Sequence, residues 1–337
     1  MIIGFDGSRA FIDNKTGTEN YSYQLLKALI KIDKKNRYII YTRETIPWPY
    51  LWTQAGLAIQ TFKDPLNVLF VPAHTLPLIR KPGLKTVVTV HDLGSEYLPS
   101  MHQLKQRLYL SLMQKYQLKT ATKIIAVSKA TKVDLIKLGI EDKKIKIVHE
   151  GYDKELFKND TESNSKKDYY LFVGTVQPRK NLERIIRAFA KIADTKLMVV
   201  GSKGWLADEI YRLPKKLGME DRIKFLGYVP DKDLPALYSG AIALVFPSLF
   251  EGFGLPILEA QACGCPVITS NVSSMPEVAG RGTILVDPYS VMEIVNAMIR
   301  VQATGFRQQL IKKGFENVKR FSWEKCARET LEMLENL

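Results

Sequence analysis

The chain has 337 residues, 46% of them hydrophobic and 25% charged, a balance that excludes a largely disordered polypeptide and supplies core for two domains. Its longest apolar run, residues 241–250, is half of the ~20 residues that cross a bilayer, and Cys263, Cys265 and Cys326 are too few for a disulfide framework or a four-ligand zinc site. The net charge of +14 is uneven: 25 Lys/Arg face 16 Asp/Glu in residues 1–165, and 24 face 19 in residues 166–337. An anionic partner is favoured more by the first half. Nucleic acid, an acidic membrane surface and a phosphorylated substrate would each satisfy that excess, and so would solvated lysine-rich faces alone.

In chain order, "MIIGFD" enters a strand at once and reaches Asp6 and Arg9 without an apolar leader, so a cytoplasmic location is expected. The loop "DGSRAFIDNKTGTENYSYQLL" brings Gly17 and Thr18 to the start of a helix, where backbone amides suit an anion. Strand-like "RYIIYT", "VLFVP", "TVVTVHD" and "KIIAVS" follow, interleaved with helical patterns; His91 and Asp92 close the third of these. The polar segment "YDKELFKNDTESNSKKD" reads as a linker, after which the alternation restarts with "YYLFVG", "NLERIIRAFAKI", "KLMVVG", "IKFLGYV", "ALVFPS", "PVITS" and "TILVDP". Such alternation predicts two doubly wound α/β domains, residues 1–163 and 164–317, with a cleft between them. An amphipathic helix over 318–337, with Phe321, Trp323, Ala327, Leu331 and Leu334 in its stripe, is expected to pack back on the first domain. Ligands of doubly wound sheets sit where strands end at their carboxyl side, and the loops there are the places to look.

One such loop is "LFEGFGL", after the strand "ALVFPS". Pro256 is expected to open the next helix and to place Glu259 in its first turn, where a carboxylate offsets the macrodipole by about 0.3–1 kcal/mol. That would account for Glu259 by itself. Gly252 and Gly254, however, let amides turn toward a ligand, and Glu251 lies just ahead of them. Phosphates need donors, whereas sugar hydroxyls need acceptors, so two carboxylates bracketing a nest of amides suit a ligand with sugars at both ends of a diphosphate. Arg179 and Lys180 follow "YYLFVG" and its closing Gly174, placed to neutralise a departing diphosphate. "DKD" at 231–233 is read as a helix start capped by Asp233 and not as a metal site. In 101–123, Lys105, Arg107, Lys115, Lys119 and Lys123 lie among Leu and Tyr, a pattern that fits an anionic bilayer and equally an ordinary solvated helix.

The segments "EGFGLPILE" and "GTVQPRKNLERIIRAF" resemble the Glu-x7-Glu and phosphate-binding motifs of retaining glycosyltransferases of the GT-B fold, family 4. "VHDLGSEYLP", "AVSKATKVDL", "IVHEGYDKELF", "FLGYVPDKDLPALY" and "SSMPEVAG" follow that family's order, so the resemblance covers nearly the whole chain. It implies a GT-B architecture of two Rossmann-like domains, the first on the acceptor side and the second binding a nucleotide sugar. By this resemblance His91 lies beside the anomeric carbon and Glu251 faces the donor sugar, while Arg179 and Lys180 assist the leaving diphosphate. Gly17, Gly174, Gly252, Phe253, Gly254 and Leu255 approach sugar and phosphates, Glu259 holds the ribose diol, and Tyr228 and Val229 face the base. Thr175 stands where some members carry an arginine, which reduces the charge there.

The activity implied is transfer of a hexose with retention and without a metal or other cofactor, the nucleotide sugar being a co-substrate. The bacterial mannosyltransferases are most similar, which points to GDP-mannose and to a saccharide or lipid-linked saccharide acceptor in surface polysaccharide synthesis, with peripheral membrane association as a further expectation and no nucleic acid partner. The alternatives are a UDP-sugar-dependent transferase, a nucleotide-sugar epimerase of similar shape and a catalytically silent nucleotide-sugar binder. A dinucleotide oxidoreductase is disfavoured, since no G-x-G-x-x-G follows either domain's first strand.

Overall fold

The computed structural model describes residues 1–12, 17–43, 52–73, 75–93, 115–159 and 168–337. Most of the basic stretch 101–123, including Lys105 and Arg107, lies outside the described residues. The chain forms two compact units, one of Met1–Gly151 with Ser322–Leu337 and the other of Tyr152–Phe321.

In the first unit, strands β1 (Ile2–Asp6), β2 (Arg37–Tyr41), β3 (Val68–Val71), β4 (Lys85–Val90), β5 (Lys123–Ala126) and β6 (Ile145–Ile147) form one sheet, order β2-β1-β3-β4-β5-β6. Every pairing is parallel, so the strands are crossed over by helices: α1 (Gly17–Ile32), α2 (Ala58–Lys63) and α3 (Lys129–Lys137). Parallel strands covered on both faces need near-continuous apolar sequence, and β3 is buried at all four positions. Ser128 caps α3 by accepting from the Thr131 amide.

The second unit carries β7 (Tyr169–Val173), β8 (Lys196–Val200), β9 (Ile223–Gly227), β10 (Ala243–Phe246), β11 (Val267–Ser270) and β12 (Thr283–Val286), again all parallel, in the order β12-β11-β10-β7-β8-β9. Its helices are α4 (Leu182–Phe189), α5 (Asp208–Lys216), α6 (Leu234–Gly240), α7 (Leu255–Ala262), α8 (Met275–Ala279), α9 (Val291–Arg300) and α10 (Thr304–Val318). The strand order reverses between β7 and β10. Chain leaves these two neighbours in opposite lateral directions, which opens a crevice at their carboxyl ends.

Two expectations from the sequence are modified. Residues 152–159 belong to the second unit, because the linker segment is less polar than its composition suggests: Phe157 is buried and its ring stands edge-on to Tyr238, 6.1 Å between centroids. The terminal helix begins later than 318, since α10 ends there and a new helix, α11 (Trp323–Glu335), starts behind a Ser322 cap that accepts from the Lys325 amide. Between the two helices Phe321 stays in the second unit, against Phe253. α11 lies along α1 in the first unit, burying Trp323, Cys326, Ala327, Thr330, Met333 and Leu334; Leu331 from the expected stripe is only partly buried. Asn36 and Lys146 reach Glu335 and Glu332 on its polar face.

The chain leaves the first unit after Gly151 and returns to it at Ser322, and these two points touch. A Cβ on residue 151 would overlap the backbone of Ser322 and Trp323. Gly151→Ala is therefore expected to cost on the order of 3 kcal/mol through overpacking that backbone cannot relieve, read as a lower urea midpoint. A change within 0.5 kcal/mol of wild type would show that the two segments separate freely.

Candidate active site

The crevice of the second unit is built by the loops that follow β7 and β10. After β7, Gly174 adopts φ +149° and its amide donates to the Val200 carbonyl; Gly201 approaches its carbonyl too closely for any side chain. Pro178–Lys180 then make one 3-10 turn, ended by Asn181 at φ 62°. A non-glycine residue tolerates this left-handed geometry only where its surroundings over-determine it. They do so here. The buried Asn181 amide group donates to the carbonyls of Pro247 (2.9 Å) and Pro288 (2.7 Å), and the Leu249 amide donates to the Arg179 carbonyl at 2.9 Å. Loop β7–α4 is thereby stitched to loop β10–α7.

The stitching brings three charges together. Arg179 Nη1 donates to Glu251 Oε2 at 2.8 Å and to the Phe250 carbonyl at 2.9 Å, and Lys180 Nζ donates to Glu251 Oε1 at 2.6 Å. Lys180 also lies over the Phe246 ring, 5.0 Å from its centroid. Glu251 is 6% exposed. Burial pushes its carboxyl up, but the charges of Arg179 and Lys180 and their hydrogen bonds outweigh that and hold it below the ordinary value. The carboxylate is ionised at neutral pH, and the cluster of two cations and one anion keeps one net positive charge. An incoming diphosphate would meet that charge with both cation side chains already in place.

Ser273 and Ser274 complete the support, and the sequence reading missed their part. Both hydroxyls donate to the Glu251 carbonyl, at 2.6 and 2.9 Å, and Ser274 also donates to the Phe253 carbonyl at 2.8 Å. Ser273 itself sits at φ 56°. The segment "SSMPEVAG" was a recognisable motif, but only folding shows that its serines grip the loop carrying Glu251.

Gly254 has φ +106°, a value for glycine, and turns the chain into α7. The helix begins at Leu255, so Pro256 is its second residue and Glu259 its fifth, beyond the first turn. This corrects the sequence expectation for Glu259. The macrodipole effect falls off within one turn and does not explain the residue. Gly252 and Phe253 are buried, and the Phe253 ring packs edge-on to Phe321, 5.8 Å away, so its side chain serves the core. Glu259 is partly buried and accepts from the Tyr238 hydroxyl at 2.8 Å. Burial pushes its carboxyl up to about 7; the Tyr238 hydrogen bond pulls it down and the charge of Asp231 raises it further. Two carboxylates eight residues apart thus differ in acidity, because cations outweigh burial at Glu251 while burial outweighs a single phenol at Glu259.

Other expected positions are more dispersed. Tyr228 is exposed and Val229 partly buried just past β9, an edge strand. Asp233 does not cap α6 with its side chain, since the 3-10 turn Asp231–Asp233 runs directly into the helix and residue 233 already has helical angles. Among the described residues no group of three or more His, Cys, Asp or Glu is placed to hold a metal. Gly17 opens α1 in the first unit, where Arg9 pairs with Glu19 of the first helical turn at 2.8 Å.

His91, at the end of β4, is 8% exposed within the first unit. Its Nδ1 lies 3.1 Å from Glu150 Oε1 and its Nε2 3.0 Å from the Pro72 carbonyl, with Tyr21 edge-on at 4.5 Å. Both partners are acceptors, so both ring nitrogens donate. Burial opposes the charge, but the hydrogen bond to Glu150 and its charge prevail and raise the ring above the ordinary histidine value. The arrangement favours the imidazolium, which has no lone pair with which to act as a base.

Residues 153–317 match the family described as Glycosyl transferases group 1, and residues 67–156 match Glycosyltransferase Family 4. The chain belongs to these glycosyltransferases. It is 41% identical over 169 residues to the O-antigen chain mannosyltransferase B of Escherichia coli, a match covering 48% of this chain and 44% of that protein. To the O-antigen chain mannosyltransferase RfbU of Salmonella typhimurium it is 29% identical over 253 residues, 73% of this chain and 69% of the other. The sucrose-phosphate synthase of Thermosynechococcus elongatus shares the fold at 22% identity, with a TM-score of 0.83 over 99% of this chain and 98% of that one. The two-sheet GT-B fold expected from the sequence is the one observed.

Asn181→Ala should cost about 3 kcal/mol, because it strands two buried carbonyls and places a Cβ-bearing residue without compensation at φ 62°. Asn181→Gly removes the same hydrogen bonds but relieves the strain, so it should cost less. Urea unfolding of both variants checks the order, and equal losses would show that backbone strain contributes nothing here.

Proposed function

We propose that the chain transfers mannose from GDP-mannose, with retention of configuration, to a saccharide or lipid-linked saccharide in surface polysaccharide synthesis. The observation that carries the reading is the pair of cations, Arg179 and Lys180, held on buried Glu251 at the switch point of the second sheet. Family membership and the names of the two mannosyltransferase relatives support the sugar. Peripheral attachment to a membrane, through the basic stretch 101–123, belongs to the same proposal.

In the reaction the bond between the anomeric carbon and the diphosphate oxygen breaks, its electron pair staying on the diphosphate, and the acceptor oxygen bonds to the same face of the carbon. The acceptor proton passes to the departing diphosphate. Arg179 and Lys180 stabilise the charge that grows on that group, which is electrostatic catalysis at the point where charge develops. Diphosphate engagement draws both cations toward itself and leaves Glu251 available to accept from donor-sugar hydroxyls. Glu259 accepts from the ribose diol, the amides of Gly252, Gly254 and Leu255 line the phosphates and sugar, and Gly174 keeps its loop clear of them. Tyr228 and Val229 border the base, and the amides at Gly17 face an anionic group of the ligand. His91 contributes the charge of its imidazolium and not proton abstraction, since its nitrogens are both donors.

Lys180→Ala is expected to lower kcat by on the order of 10²-fold, as lost transition-state donors do. Glu259→Ala is expected to raise the donor KM with kcat much less affected, because the ribose contact is the same in ground and transition states. Steady-state kinetics with the donor decide both; an unchanged donor KM in folded Glu259→Ala removes the ribose assignment. A thermal-shift panel of GDP-, UDP- and ADP-sugars identifies the donor, since a ligand at 100 times its Kd adds about 2.7 kcal/mol of stability. Chelators should leave the rate unchanged, and recovery of a dialysed, inactive enzyme by manganese or magnesium alone would contradict the cationic mechanism.

A further inference from the structure

We propose that Tyr238 is a positioning residue for donor binding: its hydroxyl, hydrogen-bonded to Glu259, holds the carboxylate in the orientation that ribose hydroxyls require and favours its anion. The proposal rests on the reading that Glu259 receives the ribose.

Tyr238 is fully buried on α6, one of the largest side chains with no exposure. Its ring is fixed edge-on by Phe157, and its hydroxyl donates to Glu259 Oε2 at 2.8 Å. Among the described residues this is the hydrogen bond that the Glu259 side chain receives. A carboxylate held by one neutral donor has no fixed cation on it and keeps one oxygen for a ligand. Glu251, held by two cations, shows the contrast: there the charge is already satisfied until a diphosphate competes for the cations.

The groups that bear on Glu259 are few. Tyr238 faces it from α6, Asp231 from the turn before α6, and Cys263 from its own helix. Burial pushes the Cys263 thiol up to about 12, so it stays neutral, and Asp231 disfavours the Glu259 anion. Among the described residues Tyr238 is the group whose hydrogen bond favours the anion. Burial, together with the Glu259 charge, keeps its phenol well above the ordinary value, so it donates throughout the working range. With the carboxyl raised to about 7, loss of that single donor moves Glu259 toward the neutral acid at neutral pH. The ribose diol would then meet a group that must give up a proton before it accepts fully.

The test measures binding of GDP or UDP, whichever the wild type binds, from pH 6 to 9 by calorimetry. Wild-type affinity is expected to strengthen as pH rises through about 7, because the folded carboxyl is raised and the ligand prefers its ionised form. Tyr238→Phe should weaken binding about tenfold at pH 7 and recover to within about twofold of wild type at pH 9, with kcat at saturating donor unchanged. Glu259→Gln should be weak at every pH. A 3,5-difluorotyrosine at position 238 keeps the ring in place and strengthens the donor, so it should move the midpoint down. Weakening of Tyr238→Phe by one constant factor across the range, or none while Glu259→Gln is weak, overturns the proposal alone. Wild-type affinity in Glu259→Gln removes the ribose reading and the proposal together.

Discussion

The second unit is organised around one buried anion. Glu251 is removed from water, and a carboxylate there is tolerable only because Arg179 and Lys180 each give it a hydrogen bond and a charge. Removing one partner of such a cluster leaves uncompensated charge, typically worth 3–5 kcal/mol, so three side chains from two loops depend on one another. The backbone around them is arranged accordingly. Asn181 pins the cations' loop to the carbonyls of the carboxylate's loop, and Ser273 and Ser274 hold that second loop from behind. Two of these supports, Asn181 and Ser273, are non-glycine residues in left-handed conformations, so the fold spends strain at the site it fixes.

Environment separates the two glutamates of one short stretch. Cations hold Glu251 ionised, while burial and Asp231 push Glu259 toward neutral pH and, among the described residues, the Tyr238 hydrogen bond resists. On the proposed reading the cations gain from permanent charge, because a diphosphate is an anion at every relevant pH. Glu259, which on that reading accepts from ribose, has a phenol as its partner and no cation to compete for its oxygens. The first unit shows the same logic with opposite sign: Glu150 and the Pro72 carbonyl keep His91 charged in a nearly closed pocket.

Much of this was legible beforehand. Continuous apolar strands alternating with helical patterns defined two parallel sheets, and the loop at "EGFGLPILE" announced a site because glycine and glutamate have no place in a core strand without a reason. Arg179, Lys180 and Glu251 were each identified, though as separate contributors to a ligand. Other readings failed on angles that sequence does not record. Asp233 looked like a cap but sits in an already helical turn, and Glu259 looked like a first-turn residue until Gly254 started the helix at Leu255.

The sequence by itself determined the fold class, the family and the positions of the charged and glycine residues at strand ends, because those follow from periodicity and from residue chemistry along the chain. Tertiary structure alone decided which charges neutralise which. Arg179 and Glu251 are 72 residues apart, Tyr238 and Glu259 are 21 apart, and His91 and Glu150 are 59 apart. Only the strand order, by placing β7 beside β10 and loops from distant segments in contact, turns those residues into a buried ion cluster, a phenol-held carboxylate and a fixed imidazolium. Burial and hydrogen-bond partners set a side chain's charge state, and neither is a property of its own position in the chain.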